Sequence, residues 1–256
     1  MNKKLVLESL KKLREINKKR EFLQTADLVI NLKSIDIKKP GQKVDLFIKL
    51  PYSKGKENKI CALVDHELLD QAKKYFNKTV LKEEFIKYEN KKVQKKFVRE
   101  FDFFLAQANI MTNVASSFGK TLGPLGKMPN PKSECIVPPT ANLEVISGRL
   151  RNMVHIQTKN DSVVRSPVGS ENMNDEEISE NILNVYNSVV RALPQEEANI
   201  RNVMIKFSMS NPIKITDKGP EVHAKVVEKK KSKYKDKKSG VKKEAAKNER
   251  VGKVNK

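Results

Sequence analysis

The apolar positions of the first fifty residues change period once. Val6, Leu10 and Leu13 recur at i, i+4 and i+7 while Lys11, Lys12, Arg14, Lys18 and Lys19 fill the other faces, which predicts an amphipathic helix over residues 2–19. The period then drops to two. Leu28, Ile30 and Leu32 alternate within DLVINLK, and Val44, Leu46, Ile48 and Leu50 within KVDLFIKL, so two strands are expected on either side of a Lys38-Lys39-Pro40-Gly41 turn, with Pro51 ending the second. From Lys59 short apolar runs alternate with helical patterns: KICALVD as a strand, HELLDQAKKYF as a helix with Leu68, Leu69, Ala72, Tyr75 and Phe76 on one side, KTVL as a strand, a long basic helical stretch over 82–101, and DFFLAQ as a strand. A Gly/Pro-rich loop is expected from Gly119 to Pro139, then a short helix over 141–150.

After Arg151 the alternation returns. MVHIQT and SVVRS flank Lys159-Asn160-Asp161 and read as a hairpin; Asn174 with Glu177 marks a helix start ahead of Ile178, Ile182, Val185 and Val189, stopping near Pro194. A last strand, NVMIKFSM, puts Val203, Ile205 and Phe207 on one face and Asn202, Met204 and Lys206 on the other.

The strand–helix alternation of 59–150 predicts a three-layer α/β unit with a parallel sheet. Residues 1–58 offer too little apolar surface to offset their own ordering entropy, and 151–216 share that shortage. The expected fold class is therefore a discontinuous α+β domain, an antiparallel sheet with two helices built from 1–58 plus 151–216, into which 59–150 is inserted. Two chain crossings make a hinge, for which residues 51–56 are a fit composition. Two sequential domains divided near residue 150 are the alternative.

Charge narrows the function. The 256 residues carry 52 Lys+Arg against 31 Asp+Glu, a formal +21, which makes a polyanion the expected partner. Residues 217–256 hold 15 basic and 6 acidic residues, leaving +12 for the rest, so the folded part is basic in its own right. That segment reads as a basic, disordered tail, either phosphate-binding or merely solubilising. No apolar run reaches membrane-spanning length, so neither a membrane span nor a signal peptide is expected and the protein reads as intracellular. Cys61 and Cys135 cannot build a disulfide framework and suit a reducing compartment.

Catalytic motifs fail on spacing. Gly119-Lys120-Thr121 has Val114 where a phosphate loop requires glycine, and Gly123 and Gly126 do not form a dinucleotide fingerprint. His66, His155 and His223 are scattered and neither cysteine has a ligand-spaced neighbour, so no metal or cofactor site is expected; Ser116-Ser117 lacks the glycines of a nucleophile elbow, and Glu83-Glu84 and Glu176-Glu177 read as solvated positions. Binding remains. Phe22, between a basic helix end and a strand, suits stacking on a ribose or base, or equally a staple closing that corner. Lys206, Ser208, Met209 and Ser210 end the last strand with small, polar or flexible groups suited to a sugar-phosphate edge, or form an ordinary strand end.

The run GKTLGPLGKMPNP, Gly119 to Pro131, resembles the signature of the large-subunit ribosomal protein one family, the protein of the mobile stalk beside the tRNA exit site. REFLQTADLVINLKSIDIKKPGQKVDLFIKLP, DFFLAQANIM and PVGSENMNDEEISENI are similar to further stretches of that family, from about residue 3 to 216 and closest to its archaeal branch. The resemblance implies a two-domain, non-enzymatic, cytoplasmic ribosomal protein whose first domain binds a folded region of large-subunit rRNA. It also implies support of deacylated tRNA release at the exit site and repression of its own mRNA. Carried over by position, it places the RNA-contacting aromatic on Phe22, polar contacts on Gln24 and Thr25, and a second cluster on Ser208, Met209, Ser210 and Asn211. Arg165, Lys206 and Lys214 complete the RNA-binding set as cations. Two positions depart from the pattern: Ser210 stands where the family has glycine, and Glu21 where a basic residue is common. Competing readings are an RNA-modifying enzyme using the central unit for a nucleotide cofactor, which needs the glycine spacings that fail here, and a general nucleic-acid binder without shape preference. Neither a membrane nor a small-molecule substrate is expected as a partner.

Overall fold

In the computed structural model the described residues are 1–222 apart from 19, 37, 38, 40, 41, 159, 160, 217 and 218. Helix α1, Lys3–Ile16, starts where the Asn2 side chain accepts from the Lys4 N–H, and it buries the predicted Val6, Leu10 and Leu13. Strand β1, Thr25–Leu32, follows and alternates as its sequence does, with Ala26, Leu28 and Ile30 fully buried. Strand β2 is Asp45–Lys49. Most of the Lys38–Gly41 turn lies outside the described residues.

The middle of the chain builds a second sheet. Strands β3 (Ile60–Val64), β4 (Lys78–Leu81), β5 (Phe103–Gln107) and β6 (Ile136–Val137) are all parallel, in the order β4-β3-β5-β6. Helices α2 (Leu69–Tyr75), α3 (Lys91–Glu100), α4 (Met111–Leu125) and α5 (Leu143–Arg151) accompany it. Ala72 of α2 and Leu143 and Leu150 of α5 join one apolar cluster with Ile60, Ala62, Val64, Phe103 and Leu105. Phe97 and Val98 of α3 and Val114, Phe118 and Leu122 of α4 join another with Cys61, Leu63, Phe104 and Ala106. Alternate residues of one strand thus feed opposite faces of the sheet, as the strand period requires.

Strands β7 (Met153–Gln157), β8 (Val163–Ser170), β9 (Ile200–Phe207), β10 (Ile213–Thr216) and β11 (Gly219–Val222) and helix α6 (Asp175–Ala192) complete the chain. β1 lies between β8 and β9 in a five-stranded antiparallel sheet ordered β11-β10-β9-β1-β8. Its inner face meets α1 and α6 in a cluster that draws on residues 6–50 and 154–213. β2 and β7 form a separate two-stranded ladder. Its side chains divide: Ile48, Val154 and Ile156 face that cluster, while Phe47 stacks on His155 at 4.2 Å and approaches Phe103 at 6.5 Å.

Several local expectations change. β7 and β8 are not a hairpin: β7 pairs with β2 and β8 with β1, because register with long-range partners outweighs the short connector, of which residues 159 and 160 lie outside the described residues. β2 accordingly stays out of the main sheet. The 82–101 stretch splits into a 3-10 helix, Lys82–Tyr88, and α3, where the Asn90 side chain accepts from the Lys92 N–H and begins a new helix. The loop expected from Gly119 is helical as far as Leu125. Val114, Phe118, Thr121 and Leu122 bury one face of α4, and Gly119 and Gly123 meet no neighbour. Pro124 stands only two residues before Gly126, which ends the helix in the left-handed region at φ 69°. Part of the tail expected from residue 217 is a strand: β11 pairs with β10, and the Lys12 ammonium donates to the Pro220 carbonyl at 3.0 Å. Residues 223–256, His223 among them, lie outside the described residues. Among the described residues no helix is long and apolar enough to cross a membrane, and no group of His, Cys, Asp and Glu could hold a metal.

Candidate nucleic-acid interface

The loop before β1 and the turn after β9 are 185 residues apart and are fastened together. Phe207 to Ser210 is a β-turn closed by the Ser210 N–H on the Phe207 carbonyl at 3.1 Å. The Ser208 N–H donates to the Thr25 carbonyl at 3.0 Å, and the Thr25 N–H donates to Ser208 Oγ at 3.2 Å. Gln24 is buried. Its Oε1 accepts from the Met209 N–H at 3.2 Å, while its Nε2 donates to Asn17 Oδ1 at 3.1 Å and, over a longer 3.4 Å, to Glu171 Oε2. Asn17 donates to the other Glu171 oxygen at 2.9 Å. Arg14 donates to Asp175, to the Glu171 carbonyl and to the Met173 carbonyl, all at 2.7 Å, and so ties the end of α1 to the segment ahead of α6.

This framework holds apolar groups out in solvent. Phe22 is 53% exposed, Leu23 65% and Met209 61%, which is far from the packing of a corner staple. Three large apolar side chains on two stitched loops offer a surface for a flat partner to lie on. Ser210 fits without strain, because it does not adopt positive φ and its hydroxyl accepts from the Phe207 N–H at 2.8 Å. Its Cβ is thus absorbed by the turn that a glycine would otherwise make. Glu21 is exposed beside Phe22.

The cations belong to the outer face of the five-stranded sheet. Register puts Arg165, Val29, Met204 and Lys214 in one row across β8, β1, β9 and β10, and Pro167, Asp27 and Lys206 in the next. A bulge between Ala26 and Asp27 in the β1–β8 ladder keeps these residues outward while Ala26 and Val168 stay buried. Burial pushes the Asp27 carboxyl above its ordinary value and Lys206 pulls it back only in part. On the same face, two residues beyond Val29, Asn31 of β1 donates to the side chain of its register partner Asn202 on β9. The result is a part-open basic strip leading to the Phe22–Met209 knob.

Of the residues singled out in the sequence, Phe22, Ser208 and Met209 are exposed on two loops that Gln24 and Thr25 fasten together, and Arg165, Lys206 and Lys214 share one face of the sheet. Leu23 and Glu171 were not anticipated; Leu23 is distinguished from a core leucine only by its exposure, and Glu171 by its partners. His155 meets Asp45 at 2.6 Å, and burial pushes the thiols of Cys61 and Cys135 up to about 12 and about 11, leaving both as thiols rather than nucleophilic thiolates.

Known proteins are similar to this chain over most of its length. The model of the Ribosomal protein L1p/L10e family matches residues 10–211. The chain is 35% identical over 212 residues to the large ribosomal subunit protein uL1 of Pyrococcus abyssi, covering 82% of this chain and 94% of that protein. It is 36% identical over 217 residues to the protein of the same name from Methanothermococcus thermolithotrophicus, covering 84% and 99%. With that of Nanoarchaeum equitans the identity is 38% over 213 residues, covering 82% and 98%.

Proposed function

The chain belongs to the Ribosomal protein L1p/L10e family, and from that membership we propose that it is a structural, non-enzymatic component of the large ribosomal subunit that grips rRNA with the Phe22–Met209 knob and the basic strip beside it. The observation that carries the reading is the exposure of Phe22 and Met209 on loops distant in sequence and locked by Gln24. Phe22 stacks on a base or ribose, Met209 and Leu23 pack beside it, and Ser208 and Ser210 offer hydroxyls to 2′-hydroxyls and phosphates. Arg165, Lys206 and Lys214 supply the electrostatic attraction, and Gln24 and Thr25 act as positioning residues rather than contacts.

The reading extends to domain organisation. Residues 1–58 with 151–216, extended by β11, form the rRNA-binding domain, and 59–150 is an inserted α/β domain carried on two chain crossings. The separate apolar clusters support this division. Such a hinged body in the stalk serves release of deacylated tRNA in the cytoplasmic ribosome. The same grip serves repression of its own mRNA where that RNA presents a similar fold.

Phe22→Ala and Met209→Ala, each measured against a large-subunit stalk rRNA fragment and against unrelated RNA, test the grip. Loss of a stacked base costs about 1–3 kcal/mol, roughly 5- to 150-fold in affinity, on the specific RNA and little on the unrelated one. A drop in stability with unchanged affinity, or equal losses on both RNAs, would reject it in favour of a packing role or a general nucleic-acid binder.

A further inference from the structure

Helix α3 is electrostatically ill-suited to stand alone. Lys91, Lys92, Lys95, Lys96 and Arg99 are all exposed, and its first turn holds two lysines and no acid, against the helix dipole. Lys91 with Lys95, Lys92 with Lys96 and Lys95 with Arg99 are like charges four apart, an arrangement that destabilises a helix. Among the described residues no ion pair or side-chain hydrogen bond relieves any of the five, whereas Lys3, Lys12 and Arg14 of α1 and Arg149 and Arg151 of α5 are each engaged. The helix holds because Gln94, Phe97 and Val98 are buried and the Lys127 ammonium donates to the Val98 and Phe101 carbonyls at its C-terminal end. Only Glu100 adds a carboxylate to the helix.

We propose that this stripe is a second polyanion surface, fitted to the phosphate backbone of an A-form RNA helix and separate from the Phe22–Met209 knob. Lys92, Lys95, Lys96 and Arg99 are spaced i, i+3, i+4 and i+7, so they face one way along about 10 Å of helix axis. A duplex presents several phosphates over that length. Among its own residues α3 has no exposed aromatic group and only Val93 as an exposed apolar one, so it reads charge and backbone shape rather than bases. A membrane surface fits poorly, since the apolar side of α3 is buried against the sheet and cannot enter lipid.

The test uses the full chain and a labelled 16-base-pair RNA duplex of arbitrary sequence, with poly-glutamate as the acidic-polypeptide probe. The triple variant Lys92→Gln, Lys96→Gln, Arg99→Gln is compared with Lys4→Gln, Lys11→Gln, Lys73→Gln, which removes the same charge from exposed positions elsewhere. The stripe variant is expected to lose at least about tenfold in duplex affinity at low salt and to flatten the salt dependence by about 2 to 3 in log–log slope, and the control markedly less. Hydrogen exchange on the unaltered chain provides a readout without substitution: the duplex should slow amide exchange across 91–100. Equal losses in both variants, poly-glutamate bound as tightly through the same residues, or unchanged exchange in 91–100 would each overturn the proposal. Because Phe22 and Met209 are untouched, specific binding of the stalk rRNA fragment is expected to survive in the stripe variant.

Discussion

Replacing Gln24 by leucine removes a side chain that the sequence alone would assign to RNA contact and that the structure buries. Leucine matches it in bulk, so the main change is loss of hydrogen bonds. Two are well formed, to the Met209 N–H at 3.2 Å and to Asn17 at 3.1 Å, and the third, to Glu171 at 3.4 Å, adds little. At about 1 kcal/mol for each good neutral bond the expected destabilisation is about 2 kcal/mol, read as a lower urea midpoint at unchanged slope. The Ser208–Thr25 bonds still close the turn, so only the Met209 anchor is loosened and RNA affinity at 25 °C should fall by about fivefold at most. Gln24→Glu should be worse at pH 7, with a second carboxylate beside Glu171, and should recover as the pH falls through the carboxylate range. If Gln24→Leu instead lost as much affinity as Phe22→Ala while its urea midpoint stayed put, Gln24 would be a direct contact and the positioning role would be refuted.

Asp27→Asn should stabilise the protein at neutral pH and tighten RNA binding. The folded carboxyl titrates above its ordinary value, chiefly through burial, so the folded state binds the proton more readily than the unfolded one. Its ionisation therefore weakens the fold: the relative stability present below the ordinary Asp value is lost as pH rises through the folded one, and the gap between variant and parent in urea titrations should close on acidification. Gly126→Ala places a Cβ at φ 69° and 3.1 Å from Gln157 Oε1, and should cost about 1–2 kcal/mol in thermal unfolding, with Gly126→Asn milder because asparagine tolerates that region.

What could be read from the chain followed the range of each signal. Thr25–Leu32 and Ile200–Phe207 show their strands and buried faces directly, because alternation is local. That Arg165, Lys206 and Lys214 share a face is not local: it depends on pairings of Val29 with Arg165 and of Met204 with Val29 and Lys214, and on a bulge no residue announces. In α4 the glycines and Pro124 masked a buried face that Val114, Phe118, Thr121 and Leu122 had spelled out. Strand β11 was hidden by the surrounding lysines, since pairing with β10 rather than composition makes it. Gln24 is the sharpest case: a glutamine in a loop gives no hint of burial, and its role appears only with Asn17, Glu171 and Met209 around it.

The central position of β1 has a consequence during synthesis. Both of its neighbours, β8 and β9, are encoded long after it, and at roughly 5–20 residues per second the ribosome needs about 10–35 s after Thr25 to deliver Ile200. Until β8 is complete the nascent N-terminus carries an apolar strand with both edges unpaired, and one edge stays open until β9 follows, the kind of segment that recruits chaperones or sticks to a neighbouring chain.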